Sequence, residues 1–257
     1  MTRRRSTANG REATADARLF DRSTRQTFAI GAGIALAVTL IPFVRFIFSY
    51  FTILFHELGH AAVGTLFGYP SIPAFDLQYG GGVTIHQDRS MLIVVLVVIA
   101  LAYACKHFHE YRHLQMVLVV TTAAYAVFAF LPLHEAAMIA AGHLGELLLA
   151  GVFLYRAATA SGVKTPAERP LYAAIGLFVI LCDLTFAWGL MSSREERAMY
   201  GDAKGGGHWM DFSQLSELGG ISLSSVAFLF ALVVLATPVL ALLIARNRSA
   251  IGRWVAE

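Results

Sequence analysis

Phe55-His56-Glu57-Leu58-Gly59-His60-Ala61-Ala62 decides how this chain is read, because it sets two histidines and an acid in the middle of an apolar run. Within residues 50–67 Glu57 is the only acidic residue, and no lysine or arginine occurs there. Side chains four apart on a helix lie about 40° from each other around its axis, so both imidazoles face one way and can hold one tetrahedral zinc ion. Glu57 then stands beside the metal, placed as the base for a water molecule. A lone glutamate in lipid costs roughly 2.5 kcal/mol or more, so a partner for it is expected.

The sequence around this run has the composition of a membrane protein. Of 257 residues, 57% are hydrophobic and 14% charged, with a mean hydropathy of +0.62; a soluble domain carries about 25% charged residues. The apolar residues fall in blocks of roughly 18 to 25, the length that crosses a bilayer. They cover about 27–48, 50–67, 91–105, 115–133, 135–155, 171–191 and 222–245. The expected fold is all-α, a polytopic transmembrane bundle of six to seven spans, with a short glycine-rich hairpin or re-entrant loop after the second hydrophobic segment. That loop, 69–90, holds Pro70, Pro73 and Gly80-Gly81-Gly82-Val83-Thr84. The longest connection, 193–220, carries Arg194, Glu195, Glu196, Arg197, Gly205-Gly206-Gly207 and His208; it reads as a solvated loop, with a lid as the alternative.

Three regions follow: a polar basic tail at 1–26, a membrane domain at 27–245 and a C-terminal tail at 246–257. Arg3, Arg4, Arg5, Arg11, Arg18, Arg22 and Arg25 beside the first span place the N-terminus on the cytoplasmic side of a multi-pass protein. An arginine-rich flank in that position is a topology signal, so no nucleic-acid partner is expected. Arg246, Arg248 and Arg253 favour a cytoplasmic C-terminus too, which needs an even number of spans, whereas counting gives seven. Cys105 and Cys182 each lie inside an apolar segment and define no disulfide framework.

A second stretch, His109-Glu110-Tyr111-Arg112-His113, repeats the spacing. It follows Lys106 and His107 between two apolar segments and puts a charge at Arg112, so it reads as an interfacial basic helix end.

His56-Glu57-Leu58-Gly59-His60, with Gly64, Gly68 and then Gly80-Gly81-Gly82-Val83-Thr84, resembles the site-2 protease family of intramembrane zinc metallopeptidases, the M50 or M50B-like group. The resemblance covers residues 50–90. It implies that 27–245 is a metallopeptidase-like domain, that His56 and His60 are ligands of Zn2+, and that Glu57 is catalytic. It also implies that the glycine-rich stretch lies near the substrate. The family's Asn-Pro-Asp-Gly or Leu-Asp-Gly motif for the third ligand does not occur here, nor does a PDZ module.

A catalytic zinc needs a third protein ligand and one open position. Leu131-Pro132-Leu133-His134-Glu135 running into Gly142-His143-Leu144-Gly145-Glu146 occupies the place of that ligand region in the family. Glu146 is the favoured ligand, His143 one turn earlier its substitute or supporting partner, and Asp183 the rival from a later span. The implied partners are the lipid bilayer and a transmembrane protein substrate. The implied activity is peptide-bond hydrolysis by a metal-activated water. Two alternatives stay open: a non-proteolytic relative of the same fold, and a membrane di-iron oxidase built on the nine histidines and the His-Glu pairs at 56, 109 and 134.

Overall fold

The computed structural model describes residues 21–76, 81–201 and 210–257. The basic tail up to residue 20, Gly80, Gly205-Gly206-Gly207 and His208 lie outside the described residues.

Helix α1 (Arg22–Leu40) starts on Asp21, whose carboxylate accepts the Thr24 N–H at 2.7 Å, a side-chain N-cap. It ends at Ile41, extended at φ −95° and ψ 105°, because a residue before proline is pushed out of the helical region. Pro42 then opens α2 (Pro42–Leu66), where its missing N–H costs nothing. The break between the first two apolar segments therefore falls at residue 41, beside Pro42. Arg45 and Ser49 join the same 25-residue helix as the histidine motif.

Two antiparallel strands follow, β1 (Ser71–Phe75) and β2 (Gly82–His86), paired from Ser71 with His86 to Phe75 with Gly82. Next come α3 (Met91–His107), α4 (Arg112–Phe130), α5 (Leu133–Thr159) and α6 (Glu168–Ser192). Leu131 is extended and Pro132 caps α5, so a two-residue corner suffices between the two helices. The connection read as a loop contains two short helices, α7 (Arg194–Gly201) and α8 (Asp211–Gly219). The last helix, α9 (Leu223–Ala256), continues well past residue 245, through its basic end.

Among the described residues, α2, α4, α5, α6 and α9 are the five helices long and apolar enough to cross a membrane. Helix α3, at 17 residues, is shorter. Their outward faces carry large apolar side chains such as Leu148, Trp188, Leu92 and Val120, a surface suited to lipid. The chain is thus a helical bundle of membrane character.

Packing between the helices rests on small residues, as expected where lipid removes the hydrophobic drive between them. Ala150 and Ala157 of α5, Ala173 and Ala187 of α6 and Ala227 of α9 are fully enclosed. A Cβ on Gly176 would meet the Ala150 carbonyl and Leu154, so α5 and α6 nearly touch there. Leu147, Leu154, Leu190, Phe212, Phe230 and Val234 fill the space among α5, α6, α8 and α9.

Candidate metal centre

The unbroken helix α2 carries His56, Glu57 and His60, and α5 runs antiparallel against it, Glu146 meeting His56 and Met138 meeting His60. Gly59 and Gly145 allow this approach: a Cβ on Gly59 would enter the Ala141 carbonyl, and one on Gly145 would lie 3.0 Å from the Gly59 Cα. Gly142 leaves the space in front of the histidines open, since a Cβ there would press on the Nε2 atoms of both rings.

The outer nitrogens fix how the rings are protonated. His60 Nδ1 lies 2.7 Å from the Met138 carbonyl, which can only accept, so that nitrogen donates. His56 Nδ1 lies 2.6 Å from Glu146 Oε1 and donates likewise. A carboxylate or carbonyl behind the imidazole is the arrangement that orients metal-binding histidines.

In neutral rings both Nε2 atoms are then lone-pair donors, facing each other at 3.0 Å. Asp211 Oδ2 completes a triangle, 2.9 Å from His56 Nε2 and 3.1 Å from His60 Nε2. Three electron-rich atoms at such separations repel unless a cation or added protons lie among them. Donors held about 2.0–2.2 Å from a tetrahedral zinc stand about 3.3 Å apart, so the triangle needs to open by only a few tenths of an ångström. The residues present therefore fit a zinc ion.

Asp211 opens α8 and is held in place by its neighbour. Phe212, 2% exposed, packs on Phe186, Phe230 and the His143 ring, and its N–H donates to the Tyr200 hydroxyl at 3.2 Å. Burial opposes ionisation of Asp211, but when the His56 and His60 rings are protonated their hydrogen bonds and charges outweigh it and hold the carboxyl below the usual carboxylate range. Burial, together with the nearby acids, pushes the Tyr200 phenol up.

Of the residues singled out in the sequence, His56, Glu57 and His60 share this site with Glu146. Glu146 meets the outer nitrogen of His56, while the position expected of it, between the inner nitrogens, is taken by Asp211. His143 is enclosed by His56, Phe186, Phe212 and Phe230; its Nδ1, 3.9 Å from Glu146 Oε1, has no hydrogen-bond partner among the described residues. Asp183 lies beside Glu146 and lines the same cavity, but belongs to neither group of candidate ligand atoms. His56, His143 and Glu146 are close enough to form a second group of ligand atoms, but that group uses only one histidine of the motif.

The remaining His-Glu pairs lie elsewhere. His109 bonds the Lys106 carbonyl from the break between α3 and α4, and His113 bonds and stacks on Trp254. The second copy of the spacing is therefore not on one helix. His134 bonds the Leu131 carbonyl and Tyr69.

Strand β2 covers Glu57. Thr84 Oγ1 donates to Glu57 Oε2 at 2.6 Å, and Gly82 leaves room for the carboxyl that a side chain would displace. Glu57 is 6% exposed, yet it borders a cavity of about 960 Å³ that also reaches His56, His60 and Asp211.

Asp211 was missed because a lone acid in a glycine-rich connection looks solvated. The available signal was Phe212 followed by Leu215, apolar residues at helical spacing that anchor α8 to the bundle.

No family model matches this chain, and no curated protein or solved structure is similar to it.

Proposed function

We propose that the chain is an intramembrane zinc metalloprotease related to the site-2 protease group, cleaving peptide bonds of membrane-embedded proteins. One observation carries this reading: two imidazole nitrogens and a carboxylate oxygen converge within 3.1 Å in an apolar helical bundle, with Glu57 adjacent in sequence to one of the histidines. His56, His60 and Asp211 would hold the metal, and Glu146 and the Met138 carbonyl would orient the two rings. A zinc ion bound there supplies an acidified water and polarisation of a carbonyl.

Glu57 accepts a proton at its carboxylate and returns it to the leaving amine. Thr84 holds Oε2 by its hydroxyl, which leaves Oε1 for that task. Gly142 and Gly82 keep bulk away from the ligands and the base. The substrate helix must unwind, since helical carbonyls are engaged in hydrogen bonds, and the β1–β2 pair offers an edge for the unwound strand. The proposal includes six or seven spans, with α1 and α3 added to the five long apolar helices, and a cytoplasmic N-terminus.

A non-proteolytic relative of the same fold is the second reading, favoured by how closely β2 lies over Glu57. One experiment separates the two. The protein purified in detergent is expected to hold one zinc ion, lost on His56→Ala or His60→Ala. Glu57→Gln is expected to retain zinc and to stop cleavage of co-expressed single-span proteins. Cleavage unaffected by Glu57→Gln excludes the peptidase mechanism.

A further inference from the structure

Helix α2 carries a polar stripe on the face of the metal centre. Arg45, Ser49, Thr52, His56 and His60 all border the same cavity of about 960 Å³. At 100° per residue Arg45 and Ser49 each fall about 20° from His56 around the axis. Of the exposed apolar residues of this helix, Phe43, Ile47, Leu54 and Leu58 lie opposite that stripe, and Phe46, Phe48 and Leu66 flank it. A guanidinium that merely reached for the lipid surface would belong with those residues.

Arg45 also lacks a counter-ion among the described residues. Among the described residues no carboxylate comes within ion-pair distance of it, and its side-chain neighbour is the Cys182 thiol of α6. An ionisable residue in a membrane span without an internal partner is costly unless something else meets it. Its location in the first turn of α2 adds to that cost, because the helix dipole there disfavours a cation.

We infer that Arg45 is a specificity determinant, an anion subsite for an acidic side chain of the substrate; this rests on the peptidase reading above. Eleven residues of helix place it about 16 Å along the axis from His56. An extended peptide advances about 3.3 Å per residue, so the acid lies about five residues from the cleaved bond. The preferred substrate is a membrane segment bearing aspartate or glutamate at that distance.

The test uses the zinc-loaded Glu57→Gln protein in neutral phosphatidylcholine vesicles and a fluorescent alanine-leucine peptide that spans the bilayer. The peptide carries one Asp, Asn or Lys at successive positions. The Asp peptide with its acid in the favoured register is expected to bind about tenfold more tightly than its Asn counterpart, the effect of one charge-assisted hydrogen bond. Arg45→Gln should erase that preference and Arg45→Glu should transfer it to the Lys peptide, with zinc content unchanged in both.

Equal affinities for the three peptides, or a preference untouched by Arg45→Gln, overturns the inference. So does an effect of Arg45→Gln that appears only when phosphatidylglycerol is added, which would assign the guanidinium to a lipid phosphate. Cleavage is scored separately with the wild-type protein on the same peptides. Binding preference without cleavage leaves the subsite and removes the peptidase, whereas cleavage without preference does the reverse.

Discussion

Replacing Asp211 by asparagine keeps the shape of the side chain and removes its charge, so it tests which carboxylate faces the metal. Asp211 Oδ2 faces two imidazole nitrogens, at 2.9 and 3.1 Å, whereas Glu146 Oε1 meets one, at 2.6 Å. A group that only orients a metal-binding imidazole is worth about 10–100-fold in metal affinity, so Glu146→Gln should weaken zinc binding by about that factor. Asp211 would bind the ion directly as one of three protein donors, so Asp211→Asn should weaken it by more than about 100-fold, above about 2.7 kcal/mol.

The assay is competition for zinc against a chromogenic chelator in detergent at neutral pH, with circular dichroism to verify that each variant retains its helices. Phe212 still anchors α8 in the Asp211→Asn protein, so its fold should persist. If Glu146→Gln loses more zinc than Asp211→Asn, the assignment of inner and outer carboxylates is wrong. Wild-type zinc affinity in Asp211→Asn refutes it equally.

Gly142→Ala is expected to abolish zinc retention and to destabilise the bundle by about 1–3 kcal/mol, because the added methyl presses on both Nε2 atoms. Gly252→Ala, where a Cβ meets nothing within 4 Å, should leave thermal unfolding and zinc content as they are. Phe212→Ala should cost about 3–5 kcal/mol in thermal unfolding and lower zinc affinity as well, since it releases the helix that presents Asp211. Thr84→Val, which removes the hydroxyl from Glu57, should preserve zinc content while changing the pH profile of cleavage; an identical profile argues against a role for that hydrogen bond.

The motif helix was legible because its signal is local: an acid and two histidines in one apolar run are costly in lipid unless they bind something together. The corner at residue 41 was harder to place, because hydropathy is nearly continuous from α1 into α2 and only the preference imposed by Pro42 locates it. The end of α9 lies beyond the apolar segment for a different reason. Hydropathy reports where lipid stops, at Arg246, and the backbone hydrogen bonds continue to Ala256. Glu146 was legible as a residue beside His56, but spacing cannot tell which imidazole nitrogen a carboxylate will meet. Asp211 is a purely tertiary feature, brought to His56 across 155 residues by the packing of Phe212.

The candidate ligands are ordered along the polypeptide as a pair at 56 and 60 and a last one at 211. During synthesis the whole of residues 61–210 must be made before the third candidate donor exists. A zinc ion captured earlier would have to be held without Asp211, by His56 with His60 or with the second group, His143 and Glu146. The proposed three-donor triangle would therefore be completed only after the early helices have begun to settle into the bilayer.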